Sequence, residues 1–258
     1  MVARGGRELT PDVLVVGAGP AGLVTALQAA DHGAAVRIVE RRTESFRPSR
    51  AMIIHPRTLE SLRSLGVTDA LLERGDPAPR AELHLGRRRV SAALADVALR
   101  DTTYPHLTLL RQADVETVLT DALARRGIAV ERGTELVTAT GDAAAASATL
   151  WRDGADEQVR CRFVVGADGQ DSTVRRCAGI GWDGGPYREE VVLADLELDG
   201  DPTPGVLHVA AGRSGLIFLF ALGETATWRL LATRPGGDDA LPFGRPTAEV
   251  PATEVDAL

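Results

Sequence analysis

The sequence predicts an α/β protein that opens on a strand–helix–strand unit and continues into a β-rich region. Three observations carry this reading. An apolar run from Asp12 to Val16 ends at Gly17; Leu23, Ala26, Leu27 and Ala30 then recur at helical spacing up to Gly33, and Val36, Ile38 and Val39 form a second strand stopping at Glu40. Arg111 to Arg126 reads as an amphipathic helix, with Val115, Val118, Leu119, Ala122 and Leu123 on one face and Gly127 closing it. From Tyr187 onward the texture turns to strands, with alternation in Val191–Leu198 and apolar runs at Leu216–Ala221 and Trp228–Ala232.

The intervening elements follow from local pattern. Thr58 to Leu65 is expected to be a short helix with Leu59, Leu62 and Leu65 inward and Gly66 at its end. Asp76 to Leu110, with two close prolines and the triple arginine Arg87–Arg89, is expected to leave the first layer, carrying short strands such as Glu82–Leu85. Strands are predicted at Ile128–Glu131, Glu135–Thr140, Ala148–Trp151 and Gln158–Val165, the last three as an antiparallel meander whose final strand returns to the sheet. The stretch from Pro235 to Leu258 has no strong period.

Composition narrows the function classes. A chain of 258 residues with 44% hydrophobic and 25% charged residues has enough apolar side chain for a substantial core. A net charge of −7 disfavours nucleic acid and anionic membrane as partners, and the scarce aromatics do not alternate with basic residues. No apolar run approaches the ~20 residues of a membrane span, and the polar N-terminus is not that of a signal peptide, so a cytoplasmic enzyme is expected. All 29 basic residues are arginine; without lysine there is neither a P-loop nor a Schiff base. Cys161 and Cys177 make no disulfide framework, and five singly scattered histidines show no metal-ligand spacing, so no metal is expected.

Gly17-Ala18-Gly19-Pro20-Ala21-Gly22 fits G-x-G-x-x-G after a strand and at the opening of a helix, with Glu40 near the usual interval of about 20 residues. In this pattern Gly17 permits the tight turn, Gly19 lets a pyrophosphate approach the backbone, and Gly22 lets the helix pack on the strand. The helix N-terminus faces the phosphates, and Glu40 accepts from ribose hydroxyls, favouring FAD or NAD over NADP. Two further clusters stand out. Arg50 lies on a Pro/Ser-flanked loop from which a guanidinium could reach the same pyrophosphate; Arg41 and Arg42 would sit near the adenine. Gly166-Ala167-Asp168-Gly169, with Ser172 and Arg175, follows an apolar strand at the sheet end where open α/β folds bind ligands; Asp168 could orient ribityl or ribose hydroxyls, and Gly169 gives clearance.

Taken together, GAGPAG with Glu40, Arg50-Ala51 and Pro56-Arg57-Thr58, Tyr104-Pro105 leading to Gln112 and Glu116, and GADGQDSTVRR resemble the para-hydroxybenzoate hydroxylase family, in its aromatic-polyketide and phenol hydroxylase branch. The resemblance runs from residue 12 to about 200 and implies an FAD-dependent monooxygenase that uses NAD(P)H and O2 to hydroxylate an aromatic ring. It assigns FAD contacts to Gly17, Gly19, Pro20, Ala21, Gly22, Glu40, Arg41, Arg50, Gln112, Asp168 and Gly169, with Gln112 near the ribityl chain and Asp168 serving both FAD and NAD(P)H. It implies a Rossmann-type FAD domain at 1–75 and 107–182, crossed by a β-meander, and an intertwined, incomplete β-rich substrate domain at 76–106 and 183–258. No substrate-deprotonating base is identified; His84, His106 and Tyr104 are candidates. A related halogenase would carry W-x-W-x-I-P, in which none of Trp151, Trp182 or Trp228 lies.

The family's third motif, a Gly-Asp segment opening a helix after the substrate-domain strands, does not occur at that place. Gly141-Asp142-Ala143-Ala144 matches by letters but precedes Asp168 and opens no amphipathic helix. Three expectations follow: a fragment, a natural truncation that binds FAD without hydroxylating on its own, or a chain whose remainder comes from elsewhere; a homo-oligomer or a second chain supplying the missing part is the expected kind of protein partner.

Overall fold

The computed structural model describes residues 10–44, 53–76, 80–93, 101–184, 189–198, 206–212, 215–221 and 227–235. The chain forms two compact units: Met1–Ala51, Ser61–Arg74 and Leu110–Trp182 make one, Met52–Glu60, Gly75–Leu109 and Asp183–Leu258 the other. Arg50, Ala51 and the stretch from 236 to 258 lie outside the described residues.

In the first unit, β1 (Val13–Val16), α1 (Pro20–Asp31) and β2 (Val36–Glu40) form the expected strand–helix–strand start of a parallel sheet, ordered β11-β1-β2-β7 with β7 at Val130–Arg132 and β11 at Phe163–Gly166. Strand residues alternate between faces. Leu14, Val16 and Val39 bury themselves against Leu136, Leu150, Val159 and Cys161 from an antiparallel sheet of β8 (Glu135–Gly141), β9 (Ala146–Arg152) and β10 (Ala155–Cys161). Val15 and Ile38, also fully buried, belong to the alternate face, and α1 packs on β1 and β2. α4 (Gln112–Arg125) lies against α1 through its predicted apolar stripe, and Arg126 donates to Asp31 at 2.6 Å beside both helix C-termini. That guanidinium holds the Asp31 carboxyl below its usual range.

One strand was expected to run from Gln158 to Val165; two form instead. The backbone N–H groups of Arg162 and Phe163 both donate to Asp12 O at 3.0 Å, which turns the chain out of the meander and aligns β11 with β1. The expected Thr58–Leu65 helix is α2 at Pro56–Arg63, and a further helix, α3 (Thr68–Arg74), buries Leu71 without a clear period to announce it.

The second unit contains a six-stranded sheet ordered β12-β15-β14-β13-β4-β5, formed by β4 (Arg80–Leu85), β5 (Arg88–Ala93), β12 (Glu189–Glu197), β13 (Val206–Gly212), β14 (Gly215–Ala221) and β15 (Thr227–Pro235). Its neighbours pair antiparallel except β13 with β4. Ala81, Leu207 and Phe220 form a small core on one face, and Arg229, 3% exposed, reaches Asp195 on the adjacent strand at 2.7 and 2.9 Å. Arg88 and Arg89 open the wholly exposed strand β5, where charge guards a sheet edge. A two-stranded sheet joins β3 (Ile53–Ile54) and β6 (Thr108–Leu109).

Arg37 joins the layers of the first unit. Arg37 on β2 donates to Glu131 on β7 at 2.7 and 2.8 Å and to Glu157 on β10 at 2.5 and 2.7 Å. Hydrogen bonding to Arg37 draws the Glu157 carboxyl below its ordinary value. A carboxyl depressed by folding stabilises above its unfolded pKa, and the benefit is lost as pH falls through its folded value. Arg37→Ala should cost about 2 kcal/mol at pH 7, a figure that allows for partial exposure of the network. Chemical denaturation at pH 7 and below pH 4 checks this: the difference from the parent should shrink in acid, and a pH-independent difference would assign the effect to packing.

Candidate cofactor site

Parallel pairing sets Val16 beside Val39 and Gly166, so the chain segments leaving β1, β2 and β11 emerge together at the C-terminal edge of the sheet. Open α/β sheets bind ligands at this edge, in the crevice beyond the strand ends. The cleft there is lined by Val16, Gly17, Gly19, Glu40, Arg41 and Arg42, by Thr134–Leu136, and by Ala167–Gly169 with Asp171 and Thr173. Its volume of about 200 Å³ is below the several hundred usual for a whole small-molecule site, so these residues suit one portion of a dinucleotide.

The three glycines have three different jobs. Gly17 has φ +99°, and a Cβ there would lie 2.4 Å from Ala167 O and 2.9 Å from Asp168 N. A Cβ on Gly22 would lie 1.9 Å from Gly17 O. These two positions therefore press backbone on backbone. Gly19 differs: its Cβ direction is open, with nothing within 4 Å, and it is the N-cap of α1. No side chain caps α1 and its first turn carries no acidic residue. The N–H groups and positive end of the dipole at this helix start are thus presented to the cleft side of Gly19, as an anion requires. This open cradle fits a pyrophosphate.

Glu40 extends from the end of β2 to the glycine loop. Its Oε2 accepts from Ala18 N at 2.8 Å and its Oε1 from Arg42 N at 3.0 Å. A carboxylate has about four acceptor positions, so each oxygen retains capacity for a hydroxyl. Arg41 and Arg42 are exposed beside it. Thr134, fully buried on the same cleft wall, has an Oγ1 without a partner among the described residues. Pattern reading did not mark Thr134–Leu136: only the order of the sheet brings the β7–β8 connection beside Glu40.

Asp168 is strongly engaged by its own loop. Oδ1 accepts from Ser172 Oγ at 2.6 Å, and Oδ2 accepts from Thr173 N at 2.7 Å and Val174 N at 3.2 Å. Ser172 Oγ accepts in turn from Arg175 N, capping α5 (Thr173–Cys177). Most of the acceptor capacity of Asp168 thus anchors the turn that carries Gly169 into the cleft, and one position on Oδ1 remains. Arg175 itself turns away, stacking over Trp182 and donating to Ile180 O.

The other sequence-marked residues lie elsewhere. Pro20, Ala21 and Gly22 form the first turn of α1 behind the loop. Gln112, first in α4, donates to Glu116 at 2.8 Å and does not line this cleft. Arg57 pairs with Glu60 and Asp101. Asp142 accepts from Ala144 N and Ala145 N, closing the β8–β9 hairpin far in sequence from any helix start. Among the candidate bases, Tyr104 N donates to Thr102 Oγ1, His106 Nε2 is buried without a partner among the described residues, and His84 meets His208.

The glycine geometry predicts a contrast in stability. Gly17→Ala forces a side chain into a left-handed backbone and against a carbonyl, and should cost about 3 kcal/mol or more. Gly19→Ala should stay within about 1 kcal/mol of the parent, because its new methyl meets open space. Thermal melts of the two variants check this, and equal losses would contradict the packing described.

The sequence matches the FAD binding domain family over residues 10–215. It is 34% identical over 232 residues to 6-methylpretetramide 4-monooxygenase from Streptomyces rimosus, an alignment covering 90% of this chain and 42% of that protein. Pentachlorophenol 4-monooxygenase from Sphingobium chlorophenolicum is 28% identical over 236 residues, covering 90% of this chain and 44% of its own length. The chain therefore spans about two fifths of the length of these curated relatives. The fold is similar to that of aklavinone-11 hydroxylase solved with FAD and aklavinone, with a TM-score of 0.78, 28% identity, and 96% of this chain and 49% of that one covered. Among the described residues no helix is long and apolar enough to cross a membrane. On the match that runs through the glycine loop, Glu40 and the Asp168 turn, the chain belongs to the FAD binding domain family.

Proposed function

We propose that this chain carries the FAD-binding portion of a flavin-dependent monooxygenase that hydroxylates a phenolic or polyketide-like aromatic compound with NAD(P)H and O2. The observation that carries the reading is the meeting of the open Gly19 cradle, the Glu40 carboxylate and the Asp168–Gly169 turn at one sheet edge. In this reading the N–H groups at the start of α1 bind the pyrophosphate, with Pro20, Ala21 and Gly22 shaping that first turn. Glu40 accepts from the adenosine ribose, and Arg41 flanks the adenine. Asp168 holds the turn that places Gly169 along the ribityl side. Arg50 would contribute a guanidinium to the pyrophosphate, and Gln112 a contact farther along the cofactor. Hydride acceptance and oxygen activation belong to the flavin when it is bound; the protein supplies position, electrostatics and exclusion of water.

The substrate class is supported by what the relatives act on, a pretetramide and a chlorinated phenol, and by the aklavinone in the structural neighbour. The β-rich segments 76–106 and 183–258 are the substrate domain in this reading, intertwined with the FAD domain at 1–75 and 107–182. Free Cys161 and Cys177 suit a reducing, cytoplasmic setting. Phe163, 57% exposed on β11 at the margin of the parallel sheet, supports association with a second copy or another polypeptide there.

Two measurements test the site. Gly19→Val should weaken FAD at least tenfold, about 1.4 kcal/mol or more, while melting near the parent temperature, because the new side chain enters the cradle from a position where a Cβ meets no protein atom within 4 Å. Unchanged FAD affinity in that variant would falsify the site. Asp168→Ala should weaken FAD by about 1–3 kcal/mol and loosen α5 together, since one carboxylate serves both the cleft and the cap. Flavin fluorescence titration with a parallel melt separates the two effects; loss of the cap alone would leave Asp168 a structural residue. NADH and NADPH oxidation under air, with product analysis on simple phenols, tests the chemistry: aromatic hydroxylation supports the proposal, and flavin reduction without a hydroxylated product contradicts it.

A further inference from the structure

The sheet of the second unit brings together three side chains that the sequence keeps apart. Glu82 and His84 share one face of β4, and His208, 124 positions beyond His84, is the register partner of Glu82 on β13. His84 Nε2 lies 3.2 Å from His208 Nδ1, and Glu82 Oε2 lies 3.8 Å from the first and 3.7 Å from the second. All three side chains are largely but not wholly buried, between 15% and 29% exposed.

We propose that Glu82, His84 and His208 bind a first-row divalent cation of the Zn²⁺ class, clipping β4 to β13. Three lone-pair-bearing atoms converge here. A single shared proton satisfies the two imidazoles across 3.2 Å but leaves the carboxylate oxygen beyond hydrogen-bond reach at 3.7 and 3.8 Å. A cation satisfies all three. The separations of 3.2, 3.7 and 3.8 Å bracket the spacing of about 3.4 Å between donors around a tetrahedral zinc with bonds of about 2.1 Å. Two neutral imidazoles and one carboxylate suit zinc with a fourth position left to water, whereas a hard Mg²⁺ or Ca²⁺ would call for more oxygen donors. Outside the triad, the Trp228 ring packs 6.1 Å from His208, and Arg89, the cross-strand neighbour of His84 on β5, is exposed and can turn its charge to solvent.

The role that follows is structural. β13 and β4 make the parallel pair of this sheet, and a parallel pair cannot be closed by a tight hairpin. A metal bond between segments more than a hundred residues apart removes much of the freedom of the unfolded chain. The site is independent of the FAD cleft, whose residues all lie in the other unit.

Zn²⁺ titration of the full chain, stripped with chelator and read against a chromophoric competitor, tests the proposal. The expected result is one Zn²⁺ per chain and a raised melting temperature, with affinity reduced at least about tenfold in both His84→Ala and His208→Ala. Co²⁺ loading should give visible d–d bands without a thiolate charge-transfer band, which keeps Cys161 and Cys177 out of the site. His84→Gln and Glu82→Gln, closer in shape, give the same readout if an alanine variant does not fold, with circular dichroism as the control. No stoichiometric binding, binding unchanged in the histidine variants, or a thiolate band would each overturn the proposal.

Discussion

The candidate cofactor site depends on the backbone of Gly17 lying against the backbone of Ala167. Position 17 would need its side chain where the Ala167 carbonyl already sits, so only glycine lets β1 end against the turn after β11. That approach joins two segments 150 residues apart. Once β11 is parallel to β1, the Asp168 turn has one place to go: beside the loop that opens α1. Gly22 repeats the constraint from behind, where its hydrogen meets the Gly17 carbonyl and holds α1 close to the strand. Gly19, free of such pressure, leaves the cradle open.

Polar groups then hold that arrangement in shape. Glu40 links the end of β2 to Ala18 in the loop, and Asp168 links the end of β11 to the start of α5. Each is a carboxylate that accepts backbone N–H groups, an interaction stronger than a neutral hydrogen bond. The Arg37 network does the corresponding work one layer deeper, joining the parallel sheet to the meander through Glu131 and Glu157. The site edge is thus held by charge-assisted contacts to backbone, which fix loops without requiring them to be buried.

The βαβ start, the α4 helix and the meander were legible because period and punctuation agree there: apolar residues at helical or alternating spacing, closed by Gly33 and Gly127. Gly17, Gly19, Glu40 and the Asp168 turn were legible because the chemistry fixes residue types at set intervals. Other features were not. The division of Gln158–Val165 into two strands depends on Asp12 O, a partner some 150 residues earlier, and no local pattern encodes it. Thr134 reaches the cleft only through the order β2-β7, and Glu82, His84 and His208 meet only through the parallel register of β4 and β13. Singly placed histidines in a sequence carry no sign of such a meeting. Arg50 lies outside the described residues, and Gln112 turns to Glu116 within its own helix.

The proposed function requires the glycine loop, Glu40 and the Asp168 turn to act as one receptor for the diphosphate-bearing half of a dinucleotide. Backbone amide chemical shifts recorded during titration with ADP address it most directly, since ADP carries the adenosine and the diphosphate without the flavin ring. A common receptor would give saturable shifts concentrated at Ala18–Gly22, Glu40–Arg42, Thr134–Leu136 and Ala167–Gly169, the segments that meet at the sheet edge. Shifts confined to the six-stranded sheet, or none at saturating ADP, would contradict it.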